Sequence, residues 1–185
     1  MPRLLFQSFD SPFGPLRAMV VQHADREALC LLEFTIPIRL DRGTAELARA
    51  FGCEPEEGRC VLHDAIEHQL AAYFAGDLHD FSLPLETPGT DFQQRVWGAL
   101  REIPFGTTCS YGDLAERLGS AGGQRAVGAA NGANRVAIVI PCHRVIEATG
   151  RLRGYGGGLD RKQWLLQHEG ALPETPTLFA AAVRS

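Results

Sequence analysis

The sequence predicts a mixed α/β (α+β) protein, and three observations lead to this fold class. Residues 3–9, 15–22 and 28–35 are alternating or β-branched apolar runs separated by turn sequences, which is typical of a three-stranded antiparallel meander. From residue 44 onwards, apolar side chains recur mainly at helical spacing. The segment 81–90 carries two prolines and a glycine and interrupts this pattern, so we expect a boundary between two parts of the chain there.

This boundary divides the chain into two domains and a tail. We expect an N-terminal α/β structural domain over residues 1–88, a second, mainly helical domain over residues 89–172, and a tail over residues 173–185. A chain of 185 residues is long enough to bury a full hydrophobic core or two smaller ones.

Helical segments account for most of the chain outside the meander. The first half contains two candidates, at residues 44–52 and 60–75, and the second half contains four, at residues 90–104, 110–119, 124–134 and 160–170. Thr90 and Ser110 have the spacing of N-caps to Gln93 and Asp113. The two helices after Ser110 are joined by a glycine-containing turn and form a helix-turn-helix candidate, and residues 147–158 follow as a predicted wing.

Composition excludes a membrane protein. The chain is 45% hydrophobic, and no apolar stretch approaches the roughly 18 residues that a membrane span needs. The first eleven residues lack the apolar core of a signal peptide, and the five cysteines contain no C-x-x-C pair. An odd number of cysteines fits a reducing compartment, so we expect a cytoplasmic protein.

Charge is distributed unevenly along the chain. Residues 1–90 hold 7 arginines and 14 acidic residues, a net charge of -7, whereas residues 91–170 hold 10 basic and 7 acidic residues, a net charge of +3. Between Arg125 and Arg153, five arginines face one acidic residue, Glu147. This strip suits a polyanion such as nucleic acid, although a solvated surface would have the same composition.

The sequence IVIPCHRVI, at residues 138–146, holds the strongest candidate for chemistry. Pro141 fixes a bend before Cys142, and His143 and Arg144 supply a base and a positive charge that would favour the thiolate. From these residues alone, Cys142 is either a nucleophile or a structural or metal-linked cysteine. The other four cysteines have the apolar flanks of core residues.

The surrounding motifs resemble the O6-alkylguanine-DNA alkyltransferase family, also called methylated-DNA–protein-cysteine methyltransferases. The resemblance covers about residues 92–170 and rests on IPFGTTCSYGDLA, RAVGAANGANR, PCHRVI and GYGGGLDRKQWLLQHEG, which occur in family order and spacing. It implies a ribonuclease-H-like N-terminal domain and a C-terminal winged helix-turn-helix domain. It also implies stoichiometric, irreversible transfer of an alkyl group from O6-alkylguanine, or O4-alkylthymine, in DNA to Cys142.

The resemblance assigns roles to individual residues. Cys142 would accept the alkyl group, His143 would act as base through a water, Glu169 would orient His143, and Asn134 would brace the preceding turn. Tyr111 would press on a phosphate and donate a hydrogen bond to N3 of the leaving guanine. The implied DNA-binding residues are Arg125, Tyr111, Ala126, Gly128, Ala129 and Arg135, and the implied guanine pocket is formed by Val145, Tyr155 and Gly156.

The implied partner is double-stranded DNA, approached from the minor groove with the damaged base flipped out of the stack. We expect a monomer, with cooperative binding along DNA as an open possibility, and no membrane association. We expect no cofactor and no metal. Some relatives bind zinc near the N-terminus, but Cys60, His63 and His68 do not converge on one side of the predicted helix, and Cys53 precedes it.

The sequence departs from the family pattern at two places, the loop before Cys142 and the wing. Arg135 and Ala137 stand where many relatives have prolines, which bears on the rigidity of the loop before Cys142, and Arg153 adds charge to the wing.

Two other functions are open to the same residues. A lesion-binding or regulatory DNA-binding module would leave Cys142 unmodified. A cysteine hydrolase would use Cys142, His143 and Glu169 to turn over an ester or amide.

Overall fold

The first half of the chain forms the predicted meander and a fourth strand. The computed structural model describes residues 1–120 and 122–173, so the predicted tail lies outside the described residues from position 174 onwards. Three antiparallel strands, β1 (Arg3–Phe9), β2 (Leu16–Gln22) and β3 (Glu27–Phe34), agree with the prediction. The predicted sheet lacked a fourth strand, β4 (Pro55–Glu57), which pairs with β1 in parallel and gives the order β3-β2-β1-β4. Its three residues, Pro-Glu-Glu, are all disfavoured in strands, which is why periodicity could not reveal it.

Two helices cover the faces of this sheet. The first, α1 (Pro37–Phe51), begins seven residues before the predicted start at residue 44. Proline at the first helical position is favourable, and Gly43 inside the helix allows close packing, since an added Cβ would lie 3.1 Å from Leu31. The second, α2 (Val61–Ala75), agrees with the prediction, with Cys60 as its N-cap. Strand β3 is therefore buried on both faces.

The second half is mainly helical, as predicted. It contains α3 (Asp91–Arg101), β5 (Cys109–Ser110), α4 (Tyr111–Arg117), α5 (Gln124–Gly132), β6 (Val145–Ile146) and α6 (Leu159–His168). Both predicted capping boxes are present, with Thr90 accepting from the amide of Gln93 and Ser110 from that of Asp113. A turn from Glu147 to Arg151 forms the tip of the predicted wing.

One hydrophobic core joins the two halves. Strand β3 exchanges backbone hydrogen bonds with the boundary segment, through Leu29 with Pro84 and Glu86, and with the loop before Cys142, through Leu32 with residues 135 and 137. The largest buried cluster contains residues of both halves. Strand β3 thus supports the loop that carries Cys142, and the division into domains at residue 88 stays a prediction. No helix within residues 1–120 or 122–173 is long and apolar enough to cross a membrane.

Candidate active site and nucleic-acid interface

Cys142 begins a single 3-10 turn, Cys142–Arg144, which directly follows Pro141. The parallel pairing of Cys109 with Val145 in β5 and β6 brings the start of α4 beside this turn. The Cys142 carbonyl accepts a hydrogen bond of 3.3 Å from Asn131 Nδ2 on α5. These contacts place the candidate nucleophile between α4, α5 and the wing, with only 6% of its surface exposed.

The loop that leads into Cys142 is held by the side chain of Asn134. Asn134 Nδ2 donates to the carbonyl of Ile140 at 2.9 Å, and Asn134 Oδ1 accepts from the amide of Val136 at 3.0 Å. Ile138 within the loop has a positive φ of 71°, which a β-branched residue adopts only when its surroundings enforce it. The loop is also paired with β3, and this pairing supports it although residues 135 and 137 are not prolines.

A cavity of about 370 Å³ opens over the Cys142 thiol. It is lined by Glu33, Phe34, Ile36, Arg39, Asn131, Gly132, Asn134, Ala137, Cys142, Gly154, Tyr155, Gly156 and Gly157. The Tyr155 hydroxyl is buried there without a hydrogen-bond partner among the described residues. Gly156 allows a close approach, because a Cβ at this position would overlap the guanidinium of Arg39. The structure therefore brings Tyr155 and Gly156 to the cavity over Cys142.

His143 and Glu169 form a buried pair next to Cys142. His143 Nε2 lies 2.8 Å from Glu169 Oε1, and neither side chain is accessible to solvent. Burial raises the pKa of Glu169, but hydrogen bonds and charges of His143 and Arg144 outweigh it and hold that pKa at about 2. Glu169 is therefore a carboxylate that accepts a proton of His143 Nε2, and the other nitrogen, Nδ1, has its lone pair free.

The protonation states at this site favour a neutral base and a neutral thiol at rest. Burial lowers the pKa of His143 below its ordinary value, although the hydrogen bond and charge of Glu169 oppose this. Burial likewise raises the pKa of the Cys142 thiol, opposed by a hydrogen bond from Asn134 and by the positive charge of Lys162. Removal of the thiol proton by a base is thus a required step.

Arg144 does not have the role that the sequence indicated. Its Nε and Nη2 atoms donate to Glu169 Oε2 and Oε1 at 2.8 and 3.0 Å, and Nη1 donates to the carbonyl of Ile103 at 2.6 Å. The guanidinium thus holds Glu169 and the end of α3. The sequence had predicted that it would face the thiol instead. A bidentate arginine–carboxylate pair of this kind fixes the orientation of both partners.

Lys162 on α6 supplies a positive charge near Cys142 that the sequence analysis did not identify. Its buried Nζ donates to the carbonyl of Val145 at 2.6 Å and to that of Arg153 at 2.8 Å. Burial lowers the pKa of Lys162 to about 8. The carbonyl of Val145 is thus bound to Lys162. Val145 was expected in the guanine pocket, but it is not among the residues that line the cavity.

A second depression lies between the start of α4, α5 and the wing, and we call it the wing groove. It has a volume of about 1070 Å³ and is lined by Tyr111, Gly112, Gln124, Arg125, Gly128, Gly132, Glu147, Ala148, Arg153 and Gly154. The half-buried Tyr111 donates from its hydroxyl to the carbonyl of Arg153 at 3.3 Å, and Arg125 is exposed. Ala126 and Ala129 are exposed on α5, so a flat face of small side chains borders the groove.

Arg135 lies apart from the other predicted DNA-binding residues. It forms an ion pair with Glu46 of α1 and lines a separate depression between α1 and α5. Its pairing with an acidic residue makes it a weaker candidate for DNA contact than Arg125. Among the described residues, no group of three or more His, Cys, Asp and Glu side chains could hold a metal ion, and Cys60 instead contacts His63 Nδ1 at 3.2 Å.

Comparisons with known proteins agree with this geometry. The family model described as 6-O-methylguanine DNA methyltransferase, DNA binding domain, matches residues 91–171. Over 175 residues the chain is 45% identical to the methylated-DNA–protein-cysteine methyltransferase of Mycobacterium tuberculosis, which covers 94% of this chain and 98% of that relative. The chain belongs to the O6-methylguanine DNA methyltransferase family. Over 174 residues it is 55% identical to the enzyme of the same name from Shigella flexneri, covering 93% of this chain and 99% of the relative.

Solved structures of the methyltransferase family have the same fold. The Mycobacterium tuberculosis O6-methylguanine methyltransferase superposes with a TM-score of 0.72 at 44% identity, covering 97% of this chain and 99% of that one. The OGT of the same organism, solved in complex with DNA, gives a TM-score of 0.73 at 42% identity, with 90% and 93% coverage. The predicted fold class and the predicted family are confirmed.

Three residues of this methyltransferase site escaped the sequence analysis. Lys162 occurs three and four positions before Leu165 and Leu166, the buried residues of α6, so helical spacing could have placed it inward. Tyr73 lies in the helix predicted at residues 60–75, which no motif links to the site. Arg39 precedes the predicted start of α1, and nothing in its local sequence indicates the cavity.

Proposed function

We propose that this protein repairs DNA by direct reversal, moving the alkyl group of O6-alkylguanine to Cys142. The observation that carries the proposal is a buried thiol that lines a cavity, next to the buried His143–Glu169 pair and beside the wing groove. The names of the relatives support it, since the most similar ones include methylated-DNA–protein-cysteine methyltransferases.

The transfer requires one bond to form and one to break. His143 Nδ1 takes the Cys142 proton through a water, and the thiolate attacks the alkyl carbon as the bond between that carbon and O6 of guanine breaks. Glu169 stabilises the protonated His143 by remaining a carboxylate. Tyr111 lies beside the cavity, where its hydroxyl turns from the carbonyl of Arg153 to donate a hydrogen bond to N3 as negative charge develops on the guanine. The guanine leaves as an anion and is neutralised by one proton, which balances the proton that His143 took from Cys142. The product on the protein is a thioether, which is too poor an alkyl donor for the transfer to reverse.

DNA is the partner that fits the wing groove. A model of a DNA-binding domain matches this half of the chain, and a related OGT was solved with DNA. The O6 atom of a paired guanine lies inside the duplex, so the nucleotide must be flipped out to reach Cys142. Arg125 would fill the space that it leaves, and the small residues Ala126, Gly128 and Ala129 would let α5 approach the minor groove closely.

Three further assignments belong to the proposal. Residues 89–172 carry the DNA-binding and active-site functions, and residues 1–88 support them through β3. The protein acts as a monomer, because one chain supplies both the cavity and the wing groove. Its five cysteines are all free, which suits the reducing cytoplasm.

Measurement of intact protein mass tests the proposal directly. Incubation with a duplex that carries one O6-methylguanine should add one methyl group per chain, and peptide mapping should place it on Cys142. Cys142→Ser should stay unmodified, whereas Cys109→Ser, which removes another buried thiol, should react like the wild type. An unmodified wild-type protein would indicate a lesion-binding module, and turnover beyond one equivalent, or of an ester or amide, would indicate a true catalyst.

A further inference from the structure

One side chain from the first half of the chain reaches the buried His143–Glu169 pair. Tyr73 lies on α2 and is completely buried, and its hydroxyl donates a hydrogen bond of 2.8 Å to Glu169 Oε1. The two residues are 96 positions apart in the sequence. This is a contact between α2, which packs on the sheet, and the carboxylate that orients the base.

The hydroxyl of Tyr73 and the imidazole of His143 bind the same carboxylate oxygen. Glu169 Oε1 accepts from Tyr73 at 2.8 Å, lies 2.8 Å from His143 Nε2, and accepts from Arg144 Nη2 at 3.0 Å. Glu169 Oε2 accepts from Arg144 Nε and, at 3.5 Å, from the amide of Gly106. Donors that share one oxygen also share its electron density, so the Tyr73 hydrogen bond weakens the pull of Glu169 on the proton of His143.

The position of Tyr73 is fixed through two consecutive residues at the end of α6. Its backbone carbonyl accepts a hydrogen bond of 2.7 Å from His168 Nε2, while its hydroxyl binds the next residue, Glu169. The Tyr73 ring also makes edge contacts with Phe105 and His168. Because the backbone and the ring of Tyr73 are both held in place, its hydroxyl can define where the Glu169 carboxylate lies.

We infer that Tyr73 is a positioning residue, which holds Glu169 in place and limits how strongly that carboxylate attracts the His143 proton. The inference rests on the proposed alkyl transfer and adds to it a residue outside the matched DNA-binding domain. Tyr73 does not touch the reacting atoms; it acts on them through Glu169 and His143.

The pH dependence of transfer reports this role with a definite sign. The charged or titratable groups around His143 are Glu169, Arg144 and Lys162, with Cys142 next to it in sequence and the ring of Tyr155 at 6.4 Å. Loss of the Tyr73 hydroxyl leaves all of these in place and strengthens the attraction of Glu169 for the imidazole proton. His143 must be neutral to act as base, so its higher pKa would move the acid limb of the pH–rate profile to higher pH.

The test compares Tyr73→Phe with Phe81→Leu, which alters packing on the same ring without removing a hydrogen bond to Glu169. Alkyl transfer from free O6-benzylguanine is measured from about pH 5 to 9, where histidine titrates, so that DNA binding does not contribute. Tyr73→Phe should move the midpoint upward, and a shift of half a unit would slow transfer about threefold on the acid limb. Phe81→Leu should lower the melting temperature without moving the midpoint.

Incorporation of 3-fluorotyrosine at position 73 provides the test should Tyr73→Phe fail to fold. Its hydroxyl is a stronger donor, so the midpoint should move downward. An unchanged midpoint in a folded Tyr73→Phe protein, or an equal shift in Phe81→Leu, would overturn the inference. Failure of the wild type to react at Cys142 would instead overturn the proposed function, so the two failures are distinguishable.

Discussion

The side chain of Asn134 is bound to the carbonyl of Ile140, six residues further along the chain, through a hydrogen bond of 2.9 Å. The same side chain accepts from the amide of Val136, so it closes the loop that precedes Pro141 and Cys142. Only 3% of Asn134 is exposed, and both backbone partners lie in buried residues. Asn134 therefore braces the loop that carries the nucleophile, together with the pairing of that loop to β3.

Asn134→Ala should both destabilise the protein and slow alkyl transfer. The buried amide of Val136 would lose its partner, and the carbonyl of Ile140 would keep only the amide of Cys142 as a donor, which together costs about 1–3 kcal/mol of the free energy of unfolding. Urea unfolding measures the loss, and transfer from free O6-benzylguanine measures the displacement of Cys142. Gln124→Ala, an exposed substitution on α5, should stay within about 0.5 kcal/mol of the wild type. A similarly small change for Asn134→Ala would contradict the bracing role.

Lys162 makes stability depend on pH in the alkaline range. Its pKa falls from an ordinary value of 10.5 to about 8 in the folded protein, so between these values the unfolded chain binds more protons. Stability should therefore rise with pH through this window and be lost as pH falls through 8, by up to about 3 kcal/mol. A neutral amine still has two protons for the carbonyls of Val145 and Arg153.

Lys162→Met isolates this effect, because every other group that titrates remains. The wild type should be the more stable protein, and its advantage in urea unfolding should grow between about pH 7 and pH 10. Parallel stability curves for the two proteins over this range would show that Lys162 keeps its ordinary pKa. Chemical acetylation of a folded wild-type protein should spare Lys162, since its Nζ is inaccessible.

Local patterns predicted those parts of the fold that short segments determine. The three antiparallel strands, the capping boxes at Thr90 and Ser110 and the helix-turn-helix all follow from alternation, cap residues and glycine turns. Strand β4 and the early start of α1 could not be predicted, because Pro-Glu-Glu has no strand propensity and residues 37–43 have weak helical spacing. Pairing with β1 and packing on β3 determine these two segments.

The candidate site divides in the same way. The order Cys142, His143 and the distant Glu169 was inferred from motifs, and the structure brings the three residues together. Arg144 was misjudged because a neighbour in sequence need not be a neighbour of the thiol: the tight 3-10 turn directs its guanidinium to Glu169 instead. Tyr73 and Arg39 reach the site through helix packing, which no local pattern records.

Arg125 and Arg135 should differ in their effect on DNA. Arg125 is exposed in the wing groove, whereas Arg135 is paired with Glu46. Arg125→Ala should slow repair of duplex DNA strongly, leave reaction with free O6-benzylguanine unchanged, and lower the salt slope of DNA affinity by about 1. Arg135→Ala should change the slope less.

Arg49→Ala, which removes an exposed arginine of α1 outside the wing groove, controls for the change in net charge. It should repair duplex DNA at the wild-type rate. Equal losses of activity on duplex DNA and on the free base in Arg125→Ala would contradict a role in base flipping, since flipping is needed only for the duplex.

Alkylation of Cys142 should destabilise the protein, and a larger alkyl group should do so more. Cys142 is 6% exposed, and a group added to its thiol must share the cavity with Tyr155 and with the Arg39 guanidinium that packs against Gly156. Overpacking of this kind costs about 1–3 kcal/mol, which for a chain of this size lowers the melting temperature by roughly 2–12 °C. Calorimetry of the free, methylated and benzylated forms measures the series, and Cys142→Ser treated with the same reagents should melt unchanged. A benzylated protein as stable as the free one would show that the cavity over Cys142 accommodates the product. Repair would then leave the alkylated protein as stably folded as before.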